Sequence, residues 1–517
     1  MKKALVRKDA YFDSVFLMAL GKDLKEVPGV SDAVVAMGTA MNLELLASLG
    51  YKLEETATPN DLVVAVDCAG PEAMERAQAA ANGLLAAKRR PGGPAGPAAH
   101  EPASLATALE LLPGANIAVI SLPGAYAARE ARKALERGLH VMLFSDNVPL
   151  EDEIALKALA RERGLLVMGP DCGTAIIDGT PLCFANALRR GPIGIVAAAG
   201  TGLQEVSCLV DRWGSGVSQA IGTGGRDLKD LRVGGTTTLM GIEALARDPA
   251  TRVIVVVSKP PAPALATKVT AALEASGKES VVHFLGLGRG ALEGGRPEGP
   301  GGAAGCPRLH RAANLEEAAV MAVALASGKE FVPGAFAMPE DEVEAIVRRE
   351  TEGMTAAQKY LRGYYTGGSL ADEAWTLLHR LTGAVYSNSQ TDPAFVLPDP
   401  HTSIGHTVVD LGDDVFTVGR PHPMIDPSSR ARRIEAEARD PEIAVMLVDC
   451  VLGYGSHPDP AGALVPSLVA AREAVRARGG HLAVVASVTG TSADFQGYAS
   501  QRAKLEAESN QQQRLLA

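Results

Sequence analysis

Between His401 and Asp426 the chain places three histidines, four aspartates and an arginine: His401, His406, Asp410, Asp413, Asp414, Arg420, His422 and Asp426. Side chains of these types at this density suit proton transfer, recognition of a carboxylate, or a metal ion. The sharper half is GRPHPMID, where two prolines fix the backbone around His422 while Arg420 offers a bidentate fork. Arg420 and His422, with His406 in reserve, are therefore the candidate catalytic residues. No HxH or HxxxH pair occurs, which argues against a metal. The same polarity also fits a surface loop with structural caps.

A second chemistry lies in glycine turns that end apolar runs. Such a turn leaves unpaired N–H groups at a helix N-terminus, the macrodipole adds attraction for an anion, and glycine lets the anion reach the backbone. The candidates for phosphate or carboxylate are Gly200-Thr201-Gly202, Gly224-Gly225 in the turn from Gly222, Gly367-Gly368-Ser369, and Gly453 and Gly455 around Tyr454. Steric demands alone also put glycine in strand-to-helix turns. Neither GxxxxGK[ST] nor a strand-placed GxGxxG is present, which disfavours a nucleotide kinase or a dehydrogenase. Asp171 and Cys172, in GPDCG, are candidates for a ligand loop. A thiol nucleophile would need a nearby base or helix N-terminus, and a buried structural cysteine fits Cys172 and Cys450 better.

The elements that must position these groups announce themselves through a repeat. Residues 242–249 read IEALARDP and residues 434–441 read IEAEARDP, seven of eight identical at an offset of 192. Each octet precedes an apolar run, TRVIVVVS or EIAVMLVD, so each reads as helix, Asp-Pro stop and buried parallel strand. The strand, glycine turn and helix of GIVAAAGTGLQEV answer to those of LRGYYTGGSLADEA. The second copy is about 25 residues longer between turn and octet. The extra length falls on PAFVLPDPHTSIGHTVVDLGDDVFTVGRPHPMID, the segment that holds the His/Asp/Arg cluster. Two copies of one α/β unit suggest a two-lobed enzyme with its site between the lobes.

Strand and helix signals alternate along the whole chain, which predicts an α/β protein of several Rossmann- or flavodoxin-like parallel-sheet domains. The expected division is an N-terminal α/β domain at 1–90, a second domain at 104–190, the first lobe at 191–330, a helical connector at 331–361 and the second lobe at 362–517. Pro/Gly-rich stretches at 90–103 and 286–308 are expected as linker and exposed loop. A net charge of −10 without a dense basic run makes nucleic acid an unlikely partner. No apolar run is long enough to span a membrane, and six scattered cysteines argue against a disulfide framework. The expectation is an acidic, soluble, cytoplasmic protein.

These residues together carry a family resemblance. Residues 105–330 resemble the α subunit of succinyl-CoA synthetase, a CoA-binding-like domain running into a flavodoxin-like ligase domain. ISLPGAYAAREARKALERGLHVMLFSDNVP, LLVMGPDCGTAI, GIVAAAGTGLQEV and GTGGRD carry it. The C-terminal lobe resembles the second ligase domain, and the whole, without an ATP-grasp domain, is similar to the FdrA family of acyl-CoA synthetase-like proteins. GHTVVDLGDDVFTVGRPHPMID and YLRGYYTGGSL match that family's recurring segments. The phosphate-carrying histidine of succinyl-CoA synthetase has no counterpart in GRGALEGGRPEGPGG. Its supporting glutamate is replaced in the turn SKPPAP, and His283 reads as a packed strand residue. The first Gly-rich CoA loop has only VVAMGTAMN around Gly38 as a counterpart. The polar ending SNQQQRLLA suggests that the last sheet lacks an edge strand.

The resemblance implies a site of paired helix N-termini formed by Gly200-Thr201-Gly202 and Gly453-Tyr454-Gly455. It implies phosphate as a substrate, CoA as a candidate ligand, and companion subunits or a homo-oligomer. One member activity is that of oxamate carbamoyltransferase in allantoin degradation, which splits oxalurate with phosphate into oxamate and carbamoyl phosphate. The expected function is such a carbamoyl or acyl transfer, with Arg420 near a small carboxylate donor. The alternatives are a CoA-ligase component and a non-catalytic scaffold.

Overall fold

The structure is a computed structural model that describes all residues except 9, 11, 13, 40, 41, 44, 45, 48, 54, 59, 90–101, 103, 287–307, 335–337, 418, 419, 516 and 517. The expected linker and loop, 90–103 and 286–308, and the histidine-free GRGALEGGRPEGPGG thus lie almost wholly outside the described residues. Chain contacts divide the molecule into two compact units, Met1–Leu111 with Asp414–His422, and Leu112–Asp413 with Pro423–Ala517.

In the first unit β1 (Lys2–Arg7), β2 (Val30–Met37) and β3 (Leu62–Cys68) form a sheet in the order β1-β3-β2. The expectation of parallel sheets throughout fails here. β1 and β2 flank the helix Ser14–Lys25 in sequence, but β3 inserts between them and pairs antiparallel with both. Alternating strand and helix signals identify such elements but do not reveal a strand that slots between two others. As the central strand, β3 serves two cores. Leu62, Val64 and Val66 pack with Leu20, Leu24 and Met74, while Val63 and Ala65 pack with Ala4 and Leu46.

The second unit opens with three short parallel strands, β4 (Ile117–Ile120), β5 (His140–Leu143) and β6 (Val167–Met168). The helices Gly124–Glu136 and Leu150–Arg163 alternate with them. Next come β7 (Thr174–Ile177), β8 (Thr180–Cys183), β9 (Arg190–Ala198), β10 (Val217–Gly222), β11 (Val253–Ser258), β12 (Glu279–Phe284) and β13 (Leu309–Arg311). They form one sheet in the order β13-β12-β11-β9-β10-β7-β8. The first five in that order are parallel, and the hairpin β7–β8 joins antiparallel to β10, a second departure from all-parallel sheets. The last sheet holds β14 (Tyr360–Tyr365), β15 (Val385–Ser387), β16 (His406–Asp410), β17 (Ile443–Val451) and β18 (Ala483–Thr489). Its order is β15-β16-β14-β17-β18, all parallel.

The octets fall at equivalent places in these two sheets. IEALARDP ends the helix Thr236–Arg247 before β11, and IEAEARDP ends the helix Ser428–Glu437 before β17. Ile242 and Ile434 are both buried, and β11 and β17 lie directly beside β9 and β14. The central strands in turn feed matching helices, Gly200–Arg212 after β9 and Gly368–Thr382 after β14. From there the lobes diverge. The first chain returns as β10 beside β9, whereas the second goes to the sheet edge as β15 and then adds β16 beside β14. The extra residues of the second copy thus add one strand and the loop between β15 and β16. Among the described residues β18 pairs only with β17, and the polar ending forms the helix Tyr498–Leu515.

Buried charge holds the turn after β10. Lys157 Nζ donates to Asp227 Oδ1 at 2.7 Å and to the Thr223 carbonyl at 3.1 Å, and pairs with Glu153 at 2.9 Å. Asp227 also accepts from the Thr237 and Thr238 N–H groups, so one carboxylate caps the octet helix and fixes the turn. Lys157→Met should leave two buried carboxylates short of their cation and cost about 3–5 kcal/mol of stability, read from urea unfolding. A change below about 1 kcal/mol would show that this network does not secure the turn.

Candidate functional site

Within the second unit, Ala198 at the end of β9 lies beside Ser258 at the end of β11, and Tyr365 at the end of β14 lies beside Asp410 at the end of β16. The helices Gly200–Arg212 and Gly368–Thr382 start immediately after β9 and β14. Both starts therefore sit outside the carboxyl ends of parallel strands, where strand order reverses and open α/β sheets bind ligands. The two starts touch. The Ser369 N–H donates to Thr201 Oγ1 at 3.2 Å, and a Cβ on Gly367 would fall 2.5 Å from Thr201 Cγ2. Only glycine permits that approach. Neither N-cap residue, Ala199 or Gly367, caps its helix with a side chain, and the N–H groups of Gly200, Thr201 and Gly202 find no acceptor among the described residues.

The second turn is held from behind by Asp449 on β17. Its buried carboxylate accepts from the N–H groups of Thr366 and Gly367, each at 2.9 Å, and from the Thr366 hydroxyl. Arg430, on the octet helix, donates to Asp449 Oδ1 at 2.6 Å and to its carbonyl at 2.8 Å. The repeat's helix and strand thus position the glycine turn directly.

In front of the turn stand Lys259, Asp372 and Asp410. Lys259 follows β11, and its Nζ pairs with Asp372 at 3.1 Å. Asp372 also accepts from the Ser389 hydroxyl at 2.7 Å. A Cβ on Gly368 would fall 2.4 Å from Asp410 Oδ2 and 2.9 Å from Lys259 Nζ, so an acid and a cation both close on the first helical residue. Burial works against the Lys259 ammonium, but the Asp372 and Asp410 carboxylates outweigh it and hold its pKa above the usual lysine range. Burial pushes the Asp410 carboxyl up to about 7, with Lys259 opposing and Asp372 reinforcing the shift. At the rim, burial and then repulsion from Lys259 lower the pKa of Lys229. Asp171, exposed and at φ 53°, acts on both lysines.

The sequence-predicted residues distribute unevenly. Gly200, Thr201, Gly202, Gly367, Gly368 and Ser369 meet as described. The pairing differs from the one the resemblance implies, because Gly453 and Gly455 begin no helix. Their turn packs against the hairpin: a Cβ on Gly453 would lie 2.6 Å from the Ala185 carbonyl, and the next helix starts only at Pro460. Gly224 and Gly225 likewise precede a turn, not a helix, and Gly224 is pressed against the Pro170 carbonyl. Cys172 is a core thiol, which burial raises to about 12, leaving no nucleophile at neutral pH. Cys450 is also buried, and burial raises it to about 12.

His406 starts β16, at the end opposite Asp410, where its Nδ1 accepts the Leu361 N–H at 3.1 Å and its ring meets Tyr360 edge-on. It is a strand-packing residue whose pKa burial lowers. Arg420 and His422 fall in the segment Asp414–His422, which groups with the first unit. Arg420 is exposed, and burial pushes His422 down to about 4, far from the range of an efficient base at neutral pH. Neither is counted in the second-unit site. His283 is a packed strand residue, as expected, with Nδ1 3.1 Å from the Ala312 carbonyl. The sequence reading missed Lys259, Asp372 and Lys229 as site residues. The one available signal was SKPPAP, read only as a lost glutamate.

Comparison with known proteins adds the following. Residues 364–512 match the CoA-ligase family, and residues 1–102 match a family described as AllF, heavy metal-associated domain. The Escherichia coli K12 protein YahF is 44% identical over 496 residues, spanning 95% of this chain and 92% of its own. The α subunit of succinate–CoA ligase from Aquifex aeolicus is 30% identical over 152 residues, 28% of this chain and 48% of that subunit. The chain thus spans about half the length of that relative. Among solved structures, apo acetyl-coenzyme A synthetase 1 of Ca. Korarchaeum cryptofilum is 15% identical over 77% of this chain and 85% of its own, with a TM-score of 0.31. Residues 1–102 contain one cysteine, Cys68, buried on β3 with its thiol raised by burial. Among the described residues no group of three or more His, Cys, Asp or Glu could hold an ion, and no helix is long and apolar enough to cross a membrane.

Two outcomes test this geometry. Gly367→Ala should cost about 1–3 kcal/mol by overpacking, and adding Thr201→Gly should recover part of it as a measurable coupling in a double-mutant cycle. Strict additivity would show that the two turns do not touch. The raised Asp410 means that the folded state keeps a proton which the unfolded chain releases at about 3.9. Its contribution therefore makes stability fall as pH rises from about 4 to 7. Asp410→Asn should flatten that slope, and an unchanged slope would place the titration elsewhere.

Proposed function

Because the chain belongs to the FdrA family of succinyl-CoA synthetase-like proteins, we propose that it is a transferase subunit that moves a carbamoyl or acyl group to phosphate. The specific reaction proposed is oxalurate with phosphate giving oxamate and carbamoyl phosphate, carried out with companion subunits. The observation that carries this reading is the meeting of two uncapped helix starts in front of Lys259, at the carboxyl ends of two duplicated sheets. Free N–H groups, two macrodipoles and a permanently charged ammonium favour an oxyanion there. They would also stabilise the negative charge that develops on the carbamoyl oxygen during attack.

The step balances without nucleotide. A phosphate oxygen forms a bond to the carbamoyl carbon, and the C–N bond to the oxamate nitrogen breaks. That nitrogen keeps the electron pair and takes up the proton that hydrogen phosphate gives up. No histidine is required to store phosphate, which agrees with the turn that holds Lys259 where the resembling ligases carry the supporting glutamate. No step is routed through Arg420 or His422.

A CoA-ligase component that draws nucleotide activation from another protein is the second reading, and the CoA-ligase match over 364–512 favours it. The protein assayed with companion subunits should release carbamoyl phosphate from oxalurate and phosphate. Lys259→Ala should lower turnover by roughly 10²–10³-fold, the range for losing one preorganised charge-stabilising group. Acyl-CoA formation in place of carbamoyl phosphate, or full turnover in Lys259→Ala, would overturn the assignment.

A further inference from the structure

We propose that the position between the two helix starts binds an oxyanion dianion only together with a proton on Asp410, so that this carboxylate and the incoming anion exclude one another. The inference rests on the anion-site reading above and adds a condition that the reading does not contain. Its basis is where Asp410 sits. The residue is 6% exposed, and its Oδ2 lies 2.4 Å from where a Cβ on Gly368 would be, against the first residue of an uncapped helix. Oδ1 accepts the Gly412 N–H at 2.9 Å, while Oδ2 faces the first helical residue with Lys259 Nζ beside it. A buried carboxylate thus stands against the helix end where the anion would bind, and it is part of the chain.

The charge balance around it decides what can join it. Lys259 closes on Gly368, and Asp372 already engages it at 3.1 Å. Asp413 adds a further negative charge from the same loop. Tyr365, its register partner on β14, stays neutral because burial raises its phenol. Asn388 contacts the Asp410 backbone without charge. At the rim, Lys229 and Asp171 act through Lys259 and oppose each other in sign. With Asp410 ionised, Lys259 already faces two carboxylates, and a dianion would add a third, doubly charged group. Like charges at such spacing do not all ionise, and the group closest to giving way is Asp410, which burial pushes up to about 7.

Sulfate is the probe that isolates this titration, because it is a dianion at every pH concerned whereas phosphate itself titrates nearby. Calorimetry on the full chain between pH 6 and 8.5 should show sulfate affinity falling about tenfold per unit above pH 7. Buffers of different ionisation heat should report about one proton taken up per sulfate bound at pH 8.5, and about a tenth of one at pH 6. Asp410→Asn should bind with little pH dependence and, at pH 8.5, roughly 30-fold more tightly than the wild type. Wild-type binding that is independent of pH with no proton uptake would overturn the coupling and leave the anion site standing. Asp410→Asn with the full wild-type pH dependence would also overturn it. No sulfate or phosphate binding to either protein at pH 6 would remove the anion site itself, and with it the proposed function. The proton count on the wild type decides the question even if the variant fails to fold.

Discussion

Two helix N-termini brought into contact are an electrostatic liability, and the surrounding structure compensates for it. Each end carries roughly half a positive charge, and Lys259 adds a whole one in front of the second. Behind that helix Asp449 accepts the N–H groups of Thr366 and Gly367, and Arg430 holds Asp449 in place. In front, Asp372 and Asp410 face Lys259. Only Gly367 can let the starts close, since any side chain there would strike Thr201. The junction is thus held by carboxylates at its back and rim, while the N–H groups of Gly200–Gly202 stay open.

This arrangement gives the duplicated octets a physical role. They do not form the site themselves. Each ends a helix and feeds a strand that lies beside the strand carrying the glycine turn. In the first lobe that strand delivers Lys259, and in the second it delivers Asp449. The copies thus supply opposite charges to one junction.

The fold was legible wherever periodicity and stop signals coincide. The helix, Asp-Pro and strand order of both octets and the helix Leu150–Arg163 follow from local pattern. Strand order was less legible, because β3 inserting between β1 and β2, or β16 beside β14, depends on long-range packing that alternation does not encode. The site was half legible. Glycine turns announce uncapped helix starts, yet which of them meet is a tertiary fact, and Gly453 proved to pack against the β7–β8 hairpin. The His/Asp/Arg cluster contained one site residue, Asp410, masked by neighbours of similar type. Its role depends on standing at the carboxyl end of an inserted strand, whereas His406 stands at the other end of the same strand. Lys259 gave only a substitution signal in a turn whose neighbours were unknown from sequence.

The account centres on one location for the reacting anion. Diffraction from crystals of the full chain soaked in tungstate, read by its anomalous signal, tests that location directly. The account predicts a single strong peak at pH 6, within hydrogen-bonding distance of the Gly200–Gly202 N–H groups and of Lys259 Nζ. A peak at Gly453–Gly455 or at Arg420 with none at the helix junction would contradict it.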